Sequence, residues 1–169
     1  NEFIVIQSRY DGIPIIEVFN LANNSLNQID MKDEVYDLGL VYNNNFDSSF
    51  FRYSYSSLKT SPQILKYDLY DNTNNVIWKK QVNNFIDTDY EIKRIKTLAR
   101  DDTNVPVSIV YKKGLDLKNA PMLIYGYGSY GINMDSGFRS TISPLLNSLP
   151  SIAGPMLPQA KFIIVLAFV

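Results

Sequence analysis

From residue 1 to residue 90 no stretch carries the 3.6-residue period of an amphipathic helix, and this constrains the fold more than any other feature. Short apolar runs punctuated by turn residues recur instead. Glu2 to Ser8 and Ile13 to Asn20 are rich in Ile, Val and Phe, with Asp11-Gly12 between them, the strongest short-range hairpin signal a sequence can carry. Asn23-Asn24-Ser25 closes this unit with turn chemistry. Glu34 to Tyr42 is expected to form a strand interrupted at Gly39, followed by a loop at Asn43-Asn44-Asn45. Ser49 to Tyr55 places Phe51, Tyr53 and Tyr55 two apart, the spacing of a half-buried strand. Gln63 to Tyr70 and Val76 to Val82 read as a second hairpin around Asp71 to Asn75. Short strands this closely spaced mean a sandwich, a barrel or propeller blades. Two blades of four strands, at roughly 40–45 residues each, would occupy this much chain.

After Asp87-Thr88-Asp89 the texture changes. Tyr90 to Leu98 alternates Ile92, Ile95 and Leu98 with Lys93, Arg94 and Lys96. Asp101-Asp102 makes a turn, and Val105 to Lys112 returns as a strand with Pro106 near its start, where a missing donor is tolerated. Lys113 to Ala120 is a polar connection. The apolar run from Pro121 is expected to be a buried strand, and Thr141 to Leu149 a short helix with Pro144 in its first turn. Lys161 to Val169 then reads as a buried parallel strand. Strand, loop, helix and strand begin a parallel α/β layer, so a boundary is expected near residue 90, dividing the chain into 1–90 and 91–169.

Bulk properties narrow the chemistry. The 169 residues carry a formal net charge of −1, which gives no reason to expect a nucleic-acid or anionic-membrane partner. There is no Cys, hence no disulfide or thiolate chemistry, and a cytoplasmic location is the expectation that goes with it. There is no His either, which excludes Ser-His-Asp and Cys-His catalysis and any His-ligated metal within this chain. No metal or other cofactor is expected. Leu149 to Val169 is mostly apolar, but Pro150, Pro155, Pro158 and Lys161 argue against a membrane-spanning helix, and no leader segment is visible.

The Pro121 run opens into Tyr125-Gly126-Tyr127-Gly128-Ser129-Tyr130-Gly131. Gly126, Gly128 and Gly131 satisfy the spacing of a dinucleotide cradle, but no helix signal starts at the glycines and no acid follows Asp135 to hold a ribose. Ser129 has Gly131 two after it but Tyr127 two before it, where a nucleophile elbow needs glycine. Two readings of the tyrosines remain. They pack a tight turn, or a phenol on a rigid strand end donates a hydrogen bond to a developing oxyanion.

Three blocks in order resemble the prolyl oligopeptidase family of serine peptidases, and most of all its oligopeptidase B branch. They are Phe51-Arg52-Tyr53-Ser54-Tyr55-Ser56-Ser57-Leu58-Lys59-Thr60, then Ala99-Arg100-Asp101 with Val105-Pro106-Val107-Ser108, then Tyr125 to Gly131. The resemblance implies the last blades of a seven-bladed β-propeller over residues 1–90, followed over 91–169 by the opening strands of an α/β-hydrolase domain, both incomplete. It implies hydrolysis of short peptides after Arg or Lys. It makes Tyr127 the oxyanion donor, places Tyr130 beside the substrate pocket, and gives Asp135 a share in holding a basic side chain. The second acid that the branch often carries two residues later is Gly137 here, so weaker basic specificity is expected. The family's nucleophile elbow, catalytic Asp and His have no counterpart in the sequence, and Asn147 to Ala160 reads as an insertion. The chain is therefore expected to be a piece of the peptidase, inactive alone. The alternatives are half of a split enzyme completed by a separately encoded catalytic chain, and a non-enzymatic β-rich interaction module.

Overall fold

The computed structural model describes residues 2–118, 120–127, 134–147 and 163–168. Three sheets follow one another along the chain. The first comprises β1 (Phe3–Tyr10), β2 (Ile13–Asn20) and β3 (Ser25–Gln28), paired in that order. Strands β1 and β2 are antiparallel from Phe3↔Asn20 to Tyr10↔Ile13, which leaves Asp11 and Gly12 as a two-residue turn. Both turn residues have positive φ (49° and 77°), the backbone twist that Asp-Gly supplies at least cost.

The second sheet is a meander of β4 (Asp37–Leu40), β5 (Phe50–Ser56), β6 (Gln63–Asp68) and β7 (Asn74–Lys79). The alternation in β5 is realised fully: Phe51, Tyr53 and Tyr55 are all buried, with Tyr53 fully enclosed. Phe51 lies opposite Tyr67 with ring centroids 5.4 Å apart. These side chains join Leu38 and Leu69 and meet Ile16 and Val18 of β2, so the core of this half lies between the first two sheets. Burying one such side chain contributes roughly 1.5–3 kcal/mol. Each phenol tip finds an acceptor: Tyr53 on Asn74 (2.9 Å), Tyr67 on Asn72 (2.9 Å) and Tyr55 on Asp33 (2.8 Å).

Three expectations for this half need correction. The sheet sizes are three and four strands, not four and four. Strand β3 carries no apolar alternation and is drawn in by pairing with β2. The strand expected from Glu34 begins only at Asp37. The chain before it bends around the buried Asp33, whose carboxylate accepts from Tyr55 and Thr60 (3.0 Å) and pairs with Lys59 at 3.2 Å.

A short 3-10 turn at Asp87–Asp89 leads into the third sheet. It contains β8 (Tyr90–Leu98), β9 (Asn104–Lys112), β10 (Met122–Tyr127) and β11 (Ile163–Phe168), in the spatial order β10-β11-β9-β8. Strands β10 and β11 are parallel, whereas β11 runs antiparallel to β9 and β9 to β8. The expected parallel layer is thus confined to one strand pair among the described residues. Helix α1 (Ile142–Leu146) forms with Pro144 inside it and sets Ile142 and Leu146 against Val35, Leu58, Tyr90 and Val110. No described helix is long and apolar enough to cross a membrane.

The Pro121 run overturns an expectation. Met122, Leu123, Ile124 and Tyr125 are 56%, 40%, 60% and 47% exposed, not buried. Among the described residues strand β10 is the edge of its sheet, pairs only with β11 and has no sheet or helix packed over it. Its apolar character suits burial on two faces. Its position supplies neither.

Candidate active site

Strand β10 ends at Tyr127, and the register pairs Tyr127 with Phe168 at the end of β11. Because the two strands are parallel, their carboxyl ends lie side by side, the edge at which α/β sheets present ligand sites. The backbone of Tyr127 therefore sits at the strand terminus that the oxyanion reading requires, while its side chain lies outside what the structure describes. Tyr130 lies outside the described residues, as do the glycines at 128 and 131. On the strand itself, Tyr125 is half exposed, with the Arg139 guanidinium 4.8 Å from its ring centroid.

The chain becomes described again at Met134, and the next residues are held one after another by different strands. Asp135 takes a fork-to-fork ion pair from Arg9 of β1, with Nη1 to Oδ1 at 2.6 Å and Nη2 to Oδ2 at 2.8 Å. The Ser136 hydroxyl donates to Ser108 Oγ of β9 at 3.1 Å, both residues being buried. Gly137 lies against β4 and β5: a Cβ there would stand 3.1 Å from both Cβ and Oδ2 of Asp37 and 3.2 Å from Ser56 Oγ. The Phe138 amide donates to Ser56 Oγ at 3.2 Å, and its ring meets Phe85 edge-on at 5.1 Å. Phe85 in turn stacks on Tyr90. The segment forms a seam joining the first two sheets to the third.

The electrostatics of this seam are coupled. Hydrogen bonding to Asp135 holds the Arg9 guanidinium above its ordinary value, against a smaller opposing effect of burial. Burial raises the Asp37 carboxyl, Asp135 adds to the rise, and Arg9 and the Leu38 amide oppose it. A parallel tie runs from the same β1–β2 turn to β8. The Asp11 carbonyl accepts from Arg94 Nη2, its carboxylate meets Lys96 Nζ at 3.1 Å, and Glu34 accepts from the Arg94 amide at 3.0 Å. Among the described residues no group of Asp and Glu is gathered to hold a metal ion.

Sequence reading singled out Tyr127, Tyr130 and Asp135. It missed Arg9 and Asp37, which stand far from residue 135 along the chain and carry no motif. The one usable signal was Gly137, a glycine at a position where an acid was looked for.

No family model matches the chain. Among curated proteins it is similar to dipeptidyl aminopeptidase BI of Pseudoxanthomonas mexicana, 30% identical over 147 residues that cover 86% of this chain and 20% of that relative. It is also similar to protease 2 of Moraxella lacunata, 28% identical over 145 residues, 85% of this chain and 21% of that relative. Among solved structures, oligopeptidase B from Trypanosoma brucei with covalently bound antipain, in its closed form, superposes with a TM-score of 0.81 at 27% identity, covering 98% of this chain and 23% of that one. The chain spans about a fifth of the length of the curated relatives it matches. The architecture is that of β-propeller blades combined with strands of an α/β-hydrolase domain. Likeness by sequence and likeness by shape fall on the same group of peptidases, and on that ground the chain belongs to the prolyl oligopeptidase family, the family that includes oligopeptidase B.

Proposed function

We propose that this chain is a segment of a serine oligopeptidase that cleaves short peptides after Arg or Lys, and that it is inactive alone. Residues 1–90 supply propeller blades and residues 91–169 open the hydrolase sheet. The observation that carries the reading is the placement of Tyr127 at the carboxyl end of a parallel strand, beside the end of β11. From there the Tyr127 hydroxyl donates to the oxyanion that forms when an activated serine attacks the scissile carbonyl, and Tyr130 stands beside the substrate. Removing one donor of this kind lowers kcat by roughly 10²–10³. Inactivity of the chain by itself follows from the absence of His, since no imidazole is present to take the serine proton.

Two measurements test this. In the full-length peptidase, Tyr127→Phe lowers kcat by about 10²–10³ while leaving the circular dichroism unchanged; undiminished turnover overturns the oxyanion role. The 169-residue chain leaves an Arg-Arg amide substrate untouched, and turnover abolished by a serine-directed inhibitor refutes inactivity.

A second reading, completion by a separately encoded catalytic chain, draws on the exposed apolar edge at β10. A strand apolar on both faces with one free edge suits pairing with a further strand. The coding sequence after Val169 and the neighbouring reading frame decide it: a second open frame with a G-G-S-x-G-G elbow supports the split, and one continuous frame removes it.

A further inference from the structure

We infer that Arg9 is the resident guanidinium of an acid pair assembled in space from Asp135 and Asp37, and that this cluster positions the exit of the glycine-rich loop instead of receiving a substrate's basic side chain. Both oxygens of Asp135 are engaged by the Arg9 fork, the bidentate geometry in which a carboxylate binds guanidinium best. Arg9 is itself fixed: Nη1 also donates to the Gly12 carbonyl at 3.2 Å, so the guanidinium is tied to the stiff β1–β2 turn. The second acid that is missing at position 137 is supplied from β4. A Cβ at Gly137 would meet the Asp37 carboxylate, so an acidic side chain at 137 and Asp37 compete for one volume. The arrangement places two carboxylates around one guanidinium, and a substrate's Arg would reach Asp135 only by displacing Arg9 and both of its charge-assisted hydrogen bonds.

The surroundings favour positioning. Asp135, Ser136 and Phe138 are bonded in turn to β1, β9 and β5, and Gly137 between them lies close against Asp37 of β4 and Ser56 of β5. The Arg9 and Asp135 side chains keep 38% and 27% of their surface exposed, but both oxygens of Asp135 are already taken by the Arg9 fork. Asp135 follows Tyr127 by eight residues, so the clasp sets where the loop that leaves the strand must return. Arg9 is thereby a positioning residue. This inference goes beyond the peptidase assignment, and its test uses no hydrolysis, so either stands or falls without the other.

The test uses the whole 169-residue chain and reads amide hydrogen exchange at Phe138, whose donor bond to Ser56 depends on the seam. Arg9→Ala speeds this exchange by about tenfold, and the charge exchange Arg9→Asp with Asp135→Arg returns it toward the starting rate. Arg9→Lys, which keeps the charge but not the fork, gives a smaller acceleration and serves where Arg9→Ala fails to fold. L-argininamide titrated into the unaltered chain leaves the amide resonances of residues 135–138 unmoved. Saturable shifts at those residues, or exchange at Phe138 indifferent to both Arg9 substitutions, overturn the inference.

Discussion

Strands β5 and β10 are both rich in apolar and aromatic residues and have opposite fates. In β5, Phe51, Tyr53 and Tyr55 point to one face and are buried, because β4 and β6 flank the strand and β2 lies across that face. In β10, Met122 to Tyr125 are all at least 40% exposed, because among the described residues a single strand pairs with it and no sheet or helix packs over it, Arg139 alone lying over the Tyr125 ring. A strand's composition states what environment suits it, whereas its neighbours decide what environment it gets. The first half of the chain therefore carries its own core, and β10 advertises a core that the described residues do not complete.

The largest effect expected from this contrast is at Phe51. Phe51→Ala empties a packed site and lowers the unfolding free energy by about 3–5 kcal/mol, read as a shift of the urea midpoint. A loss below about 1 kcal/mol would erase the distinction between the two strands.

Next comes Asp33, which anchors the end of β5 through Tyr55. Burial alone would raise its carboxyl, but hydrogen bonds from Ser57, Tyr55, Lys59 and Thr60 outweigh that and hold it below the ordinary carboxylate range. The same bond helps push the Tyr55 phenol upward, burial being the larger cause. Asp33→Ala strands those donors and costs about 2–3 kcal/mol. The sign of the pH effect follows. A depressed carboxyl contributes stability that is complete above its unfolded value of about 4 and is lost as pH falls through the folded value. Asp37 acts in the opposite sense: burial, with Asp135 adding to it, raises its carboxyl, which disfavours folding at neutral pH, and this is relieved as pH falls through the raised folded value, before the Asp33 contribution is lost. Unfolding midpoints followed from pH 7 to pH 2 in the Asp33→Asn chain should show a shallower acid loss than the parent. An identical profile would remove Asp33 from the account.

Gly137 lies where the seam touches the second sheet. Gly137→Ala forces Asp37 or Ser56 to shift and costs about 1–2 kcal/mol, measured by thermal unfolding. The smallest effect belongs to β10. Ile124 is 60% exposed, so Ile124→Ser changes stability by no more than about 0.5 kcal/mol while lowering self-association in light scattering. A large loss of stability at Ile124 would mean that the edge is covered after all.

Legibility in the sequence tracked the range of the interactions. The β1–β2 hairpin was readable because Asp-Gly encodes its own turn, and β5 because period-2 aromatics encode a face. Strand β3 was not readable, since Ser25–Gln28 forms through its partner β2. The start of β4 was misjudged by three residues because Asp33, buried by side chains from 22 to 27 positions away, bends the chain before it. Of the candidate site, the strand end bearing Tyr127 was legible as a run opening into glycines. The partner of Asp135 was not, because Arg9 lies 126 residues away and pairing at that distance leaves no local pattern.

The sequence by itself determined the strand-rich first half, the hairpin turns, the change of texture near residue 90 and the resemblance carried by three short blocks. Each depends on backbone preference, side-chain alternation or a local motif, and those act over a few residues. Tertiary structure alone decided that β10 is an exposed edge, that β11 inserts between β10 and β9, and that Asp135 meets Arg9 beside Asp37. Those facts depend on which distant segments arrive at the same place, and the free energy that brings them together is distributed over the whole packed chain.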